Sequence, residues 1–287
     1  RLNRYRRLLL EREQRKQAEA AEQLKDQLIS NISHELRTPL SILTLLTGNL
    51  DAHYGQMEDE QRQQIVQRIR KYTQILNELV ENVTIISRLD SEHPLDYQAV
   101  DLASLAEEEV SGQMPLARQK SQRLQTKGPK NLVVLGNEGQ LRQVIRNLIN
   151  NAIKYTPEGG KISCEAFLLE APLDKAFEQQ GGWPGSTDLS AGLWVAVRVT
   201  DNGLGIGMED MEHLFERFYR VNMQGQTPGS GLGLSIAREL IEAHDGKIYV
   251  TSQLEQGSTF AIYLPRFEVA GDTYHPKSHL VDKDGNS

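Results

Sequence analysis

The chain has 287 residues, which is enough for two domains with separate hydrophobic cores. Its formal net charge of −7, without basic residues interleaved with aromatic ones, argues against a nucleic-acid partner. No run reaches the roughly 18 apolar residues of a membrane helix, so we expect no membrane contact by this fragment itself. The single cysteine, Cys164, cannot form an internal disulfide, and its apolar surroundings favour core packing in a reducing cytoplasm over a redox role.

Residues 1–53 predict one long helix, because helix-forming residues dominate and no proline precedes Pro39. Apolar residues recur every three or four positions and form a stripe at Leu24, Leu28, Ile32, Leu36, Leu40 and Leu43. Since the first residue is not Met, we expect an upstream sensor domain to be missing. The arginines at positions 1, 4, 6 and 7 fit either the cytoplasmic end of a preceding membrane helix or a coiled-coil face.

A second helix is predicted after a turn at residues 54–59, and its apolar residues alternate spacings of four and three. This heptad seam consists of Ile65, Ile69, Tyr72, Leu76, Leu79, Val83 and Ile86. Two such helices form an antiparallel hairpin that buries only part of its stripes. The pattern therefore predicts a homodimer with a four-helix bundle.

An α+β domain is predicted after a linker near residues 90–100, because short apolar runs there alternate with turn residues. The predicted strands cover 132–135, 161–169, 193–200, 247–253 and 258–264, and the predicted helices 101–120, 137–154 and 231–245. Residues 170–192 are expected to be an inserted surface loop, and the tail from Gly271 to be disordered.

His34 is the candidate phosphate acceptor in the first helix. It lies two residues from both Ile32 and Leu36, which points it away from the apolar stripe and towards solvent. A neutral imidazole there can attack phosphorus, Glu35 can take up the proton, and Thr38, one turn later, can orient a water molecule for dephosphorylation. An exposed histidine beside a glutamate is also an ordinary surface feature.

Asn147 and Asn151 lie one turn apart on a predicted helix, where their amide oxygens can bind a hard cation such as Mg²⁺ with phosphates. The alternative is a pair of buried asparagines that the helix merely tolerates.

Asp201 follows a strand, with Gly203 and Gly205 allowing close backbone approach to a ligand. Its carboxylate can accept from an adenine amino group and so select ATP over GTP, although a simple Asp-Asn-Gly turn has the same residues.

Residues 229–234 are rich in glycine and open a predicted helix, where unpaired amides can hold phosphate oxygens. The members of this predicted phosphate cradle are Gly229, Gly231, Leu232, Gly233 and Leu234. No Gly-Lys-Ser/Thr follows, so it is not a Walker A loop.

Residues 214–220 predict a short aromatic helix before a flexible lid. Such aromatic side chains more often belong to a hydrophobic core than contact a ligand.

The segment His34–Leu40 resembles the H box of sensor histidine kinases, and the later segments resemble the N, G1, F and G2 boxes of that family in the right order. The resemblance spans about residues 24–266. It implies a dimeric four-helix bundle followed by an α/β sandwich ATP-binding domain of the GHKL (Bergerat) type. The implied division is a signalling helix (1–23), a dimerisation and phosphotransfer hairpin (24–92), a catalytic domain (93–270) and a disordered tail (271–287).

The resemblance also implies residue roles. His34 would be the autophosphorylation site, Glu35 its base, and Thr38 a residue for phosphatase activity. Asn151 would be the principal Mg²⁺ ligand with Asn147 in support. The remaining implied ATP contacts are Lys154 near the phosphates, Tyr155 and Asp201 at the adenine, Phe215 and Phe218 as lid anchors, the glycines at 203, 205, 229, 231 and 233, and Arg217 and Arg220 near the transferring phosphate.

We therefore expect a cytoplasmic kinase that uses ATP and Mg²⁺ and transfers phosphate to an aspartate of a response regulator; a tether to the inner membrane through a missing N-terminal part is left open. Two alternatives stay open: an ATP-driven conformational module in which His34 is idle, and a protein whose phosphatase activity dominates. Two departures from the family pattern are Asn137–Gln140, where relatives often have acidic residues and an arginine, and the long 170–192 insertion.

Overall fold

The computed structural model describes residues 2–89, 96–171, 188–221 and 230–268. The chain forms two compact units: Arg1–Pro94 with Gly207–Glu239, and Leu95–Ile206 with Leu240–Ser287. Most of the predicted insertion and the tail from Gly271 lie outside the described residues.

The two N-terminal helices form the predicted hairpin. Helix α1 (Leu2–His53) runs through Pro39, a 3-10 turn covers Tyr54–Gln56, and helix α2 spans Asp59–Leu89. Arg62 closes the turn, because its guanidinium donates to the Met57 carbonyl at 2.6 Å and to Asp59 at 2.7 Å. The predicted pair of helices joined by a short turn is confirmed.

The heptad seam on α2 is confirmed, since all seven of its side chains are partly or fully buried and Leu79 and Ile86 are the deepest. Leu40 of the predicted α1 stripe is 57% exposed in the single chain, which fits a hairpin that buries only part of its stripes. On the buried side of α1, Pro39 and Leu46 are buried and Ile32 is partly buried. These three residues are spaced by seven, and seven residues complete almost two helical turns. The side chains of Leu24 and Leu28 lie outside the described residues.

The second unit contains a mixed five-stranded sheet in the order β2-β4-β5-β7-β6, in which only β2 and β4 are parallel neighbours. The strands are β2 (Arg123–Lys127), β4 (Lys161–Ala171), β5 (Gly192–Asp201), β6 (Lys247–Gln253) and β7 (Gly257–Pro265). A separate antiparallel pair joins β1 (Gln98–Asp101) to β3 (Val133–Gly136).

Helices α3 (Leu102–Gln119) and α4 (Glu138–Tyr155) pack against this sheet and form the core with it. Their ends are set by capping side chains: Asp101 accepts the Ala103 amide at 3.1 Å, and Asn137 accepts the Gln140 amide at 3.0 Å. Cys164 is fully buried in β4, and burial raises the pKa of its thiol to about 12, as expected for a packing role. The predicted α+β class is confirmed.

Three local elements differ from the predictions. Strands β1 and β2 were not predicted, because they are short and polar and each buries one apolar side chain, Val100 and Leu124. The aromatic helix expected at 214–220 is absent: helix α5 covers only Met208–Met211, and turns follow. Phe218 has φ +68°, which an α-helix does not allow. Helix α6 spans Gly233–Ala243.

Among the described residues, no helix combines the length and apolar character that crossing a membrane requires.

Candidate functional site

The side chain of His34 is exposed on α1, as the sequence predicts. Thr38 lies one turn later on the same exposed face, and its hydroxyl donates to the His34 carbonyl at 3.3 Å. Glu35 is half-buried, and the buried ring of Pro39 removes the amide that would otherwise bond the Glu35 carbonyl. The imidazole is therefore accessible to a reactant, with a carboxylate adjacent in sequence and a hydroxyl one turn away.

Helix α4 separates an apolar face from a polar one. Its apolar residues are buried against the sheet and α3: Leu141, Val144, Ile145, Leu148, Ile149, Ala152 and Ile153. Asn147 and Asn151 lie on the other face and are partly exposed, so they are not the buried asparagines of the alternative interpretation. Two amide oxygens one turn apart on an accessible face suit a hard cation such as Mg²⁺.

Lys154 and Tyr155 end this helix. The Lys154 ammonium lies 4.9 Å from the centre of the Tyr155 ring, and the ring itself is partly exposed. A positive charge and an accessible aromatic face are thus held together at the end of the helix that carries the asparagines.

The segment 201–206, named here the Asp201 loop, is fixed by bonds to three parts of the same unit. The Leu204 amide donates to the Tyr155 carbonyl at 3.1 Å. The Lys161 amide donates to the Asn202 side chain at 2.7 Å, and the Ile206 amide to the Ser252 hydroxyl at 2.9 Å. The structure therefore brings Tyr155 and the Asp201 loop together.

The glycines of this loop sit where a side chain would collide with backbone. A Cβ at Gly203 would lie 2.5 Å from the Tyr155 carbonyl oxygen. At Gly205, which has φ +65°, a Cβ would lie 1.9 Å from the Gln253 carbonyl oxygen. The close approach of the chain here requires glycine at both positions.

The residue Asp201 is 8% exposed, and burial raises the pKa of its carboxyl group, although the amides of Gly203 and Ser258 act in the opposite direction by donating to it. The Gly203 amide lies 2.8 Å from Oδ1, which is the bond expected of a simple Asp-Asn-Gly turn. The turn and the binding role are compatible, because a carboxylate has further lone pairs with which to accept a donor from a ligand.

The segment 207–239 contains the aromatic residues and most of the phosphate cradle. The Phe218 amide donates to the Gly231 carbonyl at 3.0 Å, and a Cβ on Gly231 would lie 2.7 Å from the Phe218 carbonyl carbon. Arg217 forms two bonds to Glu239, at 2.8 and 2.9 Å. The Arg238 guanidinium lies over the Phe215 ring at 5.9 Å. The half-buried Phe215 and Phe218 thus belong to a segment that is held by hydrogen bonds and by a contact between a guanidinium and an aromatic ring.

The cradle prediction is supported in part. Helix α6 begins at Gly233, so the amide of Leu234 in its first turn has no carbonyl of this helix four residues before it. The Leu232 side chain is fully buried, so only its backbone can reach a ligand, as the predicted role of backbone amides in this segment requires. Gly229 lies outside the described residues, and Arg220 is exposed.

Sequence reasoning missed the residues that hold these segments in place. Lys120 and Gln122 contact the end of α4, and Ser252 contacts the Asp201 loop. They stand in ordinary polar sequence far from the motifs, so no local signal distinguishes them.

Comparisons with known proteins match both the helical hairpin and the domain that follows it. Residues 24–92 match the His Kinase A (phospho-acceptor) domain, and residues 136–268 match the family described as histidine kinase-, DNA gyrase B-, and HSP90-like ATPase. Drug sensory protein A of Synechocystis sp. is 35% identical over 86% of this chain and 36% of its own length. The adaptive-response sensory kinase SasA of Synechocystis sp. is 33% identical over 85% of this chain and 60% of its own length.

The chain thus spans between about a third and three fifths of the length of these relatives. Among solved structures, the Acinetobacter baumannii histidine kinase AdeS aligns with a TM-score of 0.58 at 21% identity, over 82% of this chain and 98% of that chain. At this identity the likeness shows a shared fold.

Proposed function

Because the chain belongs to the sensor histidine kinases of two-component systems, we propose that it phosphorylates His34 with ATP and passes the phosphoryl group to an aspartate of a response regulator. The observation that carries the proposal is the exposed imidazole of His34 within the part of the chain that matches the phospho-acceptor domain. An ATPase-like domain follows it in the same chain.

The first chemical step is an in-line displacement at the γ-phosphorus. A ring nitrogen of neutral His34 forms the N–P bond, the P–O bond to ADP breaks, and Glu35 takes the imidazole proton. In the second step an aspartate carboxylate of the regulator attacks phosphorus, the P–N bond breaks, and a proton returns to His34. The exposed imidazole suits both steps, since each requires access from outside the helix.

The nucleotide is assigned to the polar face of α4 and the Asp201 loop. Asp201 accepts from the adenine amino group, Tyr155 packs near the ring, and Lys154 lies near the phosphates. Gly203 and Gly205 let backbone approach the nucleotide, and Gly229, Gly231, Gly233, Leu232 and Leu234 supply backbone to the phosphates. Phe215 and Phe218 anchor the lid, and Arg220 helps to neutralise the transferred group.

Asn151, with support from Asn147, is assigned as the ligand of Mg²⁺. The ion, when bound, neutralises charge on the phosphate oxygens. The accessible position of both amides, one turn apart, supports this assignment.

A second activity is assigned to Thr38, whose hydroxyl orients a water molecule for hydrolysis of the phosphorylated regulator. Its exposed position one turn from His34 supports this role.

A homodimer is proposed because α1 and α2 each keep exposed apolar side chains beyond their shared seam. Ile29 and Leu40 are 53% and 57% exposed on one side of α1, and Val66 and Val80 lie two heptads apart on α2. A second copy would cover them and complete a four-helix bundle. A molar mass of a single chain in light scattering would contradict this arrangement.

The chain is further proposed to divide into a signalling helix (1–23), the phosphotransfer hairpin (24–92) and the catalytic domain (93–270). A sensor domain upstream, tethering the protein to the inner membrane, completes the proposal. The sensor domain is proposed because relatives such as Drug sensory protein A extend well beyond the part that matches this chain.

Incubation with γ-labelled ATP and Mg²⁺ tests the proposed function. We expect His34→Gln to abolish covalent labelling while ATP binding is retained, and His53→Gln to label normally, because His53 is another exposed histidine on the same helix. Equal labelling of both variants would contradict the proposal. An unlabelled wild-type protein that still binds ATP would instead favour an ATP-driven conformational module.

A further inference from the structure

The C-terminal end of α4 is closed by two side chains from the turn that follows α3. The last carbonyls of a helix have no partner within the helix. Lys120 Nζ donates to the carbonyls of Ile153 and Lys154 at 2.8 and 3.1 Å. Gln122 Nε2 donates to the carbonyls of Ile153 and Thr156 at 3.0 and 2.6 Å. Neither residue belongs to the sequence motifs described above.

The backbone of the same turn adds two further bonds to the segment after α4. The Gly159 amide donates to the Lys120 carbonyl at 3.0 Å, and the Arg123 amide donates to the Gly160 carbonyl at 2.8 Å. Residues 120–123 therefore hold both the end of α4 and the turn beyond it.

The Gln122 bonds are shielded from water, and the Lys120 bonds are partly shielded. Gln122 is 6% exposed, and its bonds to Ile153 and Thr156 are buried. Burial, together with the nearby Lys154 ammonium, lowers the pKa of Lys120. Hydrogen bonds in such surroundings are stronger than exposed ones, and the unpaired carbonyls left by their loss are costly.

The fixed end of α4 is in turn the support of the Asp201 loop. Tyr155 is the last residue of α4, and its carbonyl accepts the Leu204 amide at 3.1 Å. The same carbonyl oxygen would lie 2.5 Å from a Cβ at Gly203, so loop and helix end are in close contact. A shift of the helix end therefore moves the loop that presents Asp201, because no gap separates them.

We propose that Lys120 and Gln122 are positioning residues for nucleotide recognition, which set the Asp201 loop relative to the helix that carries Asn147 and Asn151. They act through the end of α4 and do not touch the nucleotide. This inference rests on the proposed function, because it assigns adenine to Asp201 and the metal ion to the asparagines.

A purely structural role for the same bonds predicts something different. If they only stabilised the domain, their loss would lower the melting temperature while the folded protein kept its affinity and its preference for ATP. A positioning role predicts that the adenine-specific part of binding is lost, because Asp201 is displaced from the amino group that distinguishes adenine from guanine. Binding of GTP, which lacks that bond, would change little.

The test measures dissociation constants for ATP and GTP with Mg²⁺ by calorimetry, using the full 287-residue chain below its melting temperature. The variants are Lys120→Met and Gln122→Met, which remove the donors, and Lys120→Arg, which keeps a donor. Lys127→Met is the control, since Lys127 is an exposed lysine on the neighbouring strand β2.

We expect the Kd for ATP to rise about tenfold in each Met variant, the loss of roughly one well-placed bond, while the Kd for GTP changes by less than about twofold. Lys120→Arg should recover most of the ATP affinity. If Lys120→Met fails to fold, Gln122→Met decides the question by the same measurements.

ATP affinities of the Met variants within about twofold of Lys127→Met would overturn the inference, and so would equal losses for ATP and GTP. In either case a wild-type protein that binds ATP and labels His34 leaves the proposed function intact. Wild-type protein that binds no ATP would overturn the proposed function and this inference together.

Discussion

Replacing Gly203 with Ala tests whether the Asp201 loop must lie directly against the end of α4. Gly203 does not have a positive φ, so an alanine there meets no backbone strain and the effect is purely steric. Its Cβ would lie 2.5 Å from the Tyr155 carbonyl oxygen and 2.7 Å from Asp201 Oδ1. Both neighbours are held by hydrogen bonds, so neither can rotate away freely.

The size of the effect follows from these contacts. The loop must withdraw by about 0.5 Å from Tyr155 to reach an allowed distance, and overpacking of this kind costs about 1–3 kcal/mol. The Leu204 to Tyr155 bond lengthens with it, which adds about 1 kcal/mol if the bond is lost. We therefore expect the free energy of unfolding to fall by about 2–4 kcal/mol, and ATP affinity to fall more than about tenfold because Asp201 moves with the loop.

The assay combines denaturant unfolding with calorimetric titration of ATP. Gly207→Ala is the matched control, because it lies four residues later and its Cβ would meet nothing closer than 3.6 Å. It should bind ATP as wild type does. If Gly203→Ala bound ATP as tightly as Gly207→Ala, the loop would not depend on contact with α4, and the reasoning would be refuted.

Two further predictions concern His244 and Thr38. Burial lowers the pKa of His244 below 6.5, and its Nε2 accepts the Asn137 amide at 3.0 Å. The neutral ring therefore stabilises the fold above pH 6.5. This contribution is lost as the pH falls through the lowered pKa. Denaturant unfolding across this range should show the loss in wild type and a smaller one in His244→Gln, and identical pH profiles would contradict it. Thr38→Ala should slow the decay of the phosphorylated regulator at least about tenfold with self-phosphorylation retained, and an unchanged decay would remove Thr38 from the phosphatase reaction.

The sequence predicts most elements of this fold because their apolar periodicity is strong. The seam on α2 and the apolar face of α4 repeat over several turns, so single exceptions do not obscure them. On α1 the spacing of three and four residues marks an apolar stripe, but it does not show which members the hairpin buries: Pro39 is buried, and Leu40 is 57% exposed. Strands β1 and β2 were not predicted, because their composition is not typical of strands. They are strands because they pair with β3 and β4.

The candidate site shows the same division between local and distant information. His34 could be placed on the exposed face of its helix from two neighbouring apolar residues alone. The need for glycine at 203 and 205 was visible only as a motif, and the structure supplies its cause in the carbonyls of Tyr155 and Gln253. Lys120 and Gln122 had no signal, because they act on carbonyls more than thirty residues later in the chain.

Direct location of the transferred phosphoryl group tests whether His34 is the residue that ATP phosphorylates. Protein incubated with ATP and Mg²⁺ can be digested at alkaline pH, which preserves phosphoramidates, and its peptides sequenced by mass spectrometry. We expect a phosphate on the peptide containing His34, stable in base and lost in acid. A phosphate found only as an acid-stable ester on a residue such as Ser33, or no covalent phosphate in protein that binds ATP, would contradict it.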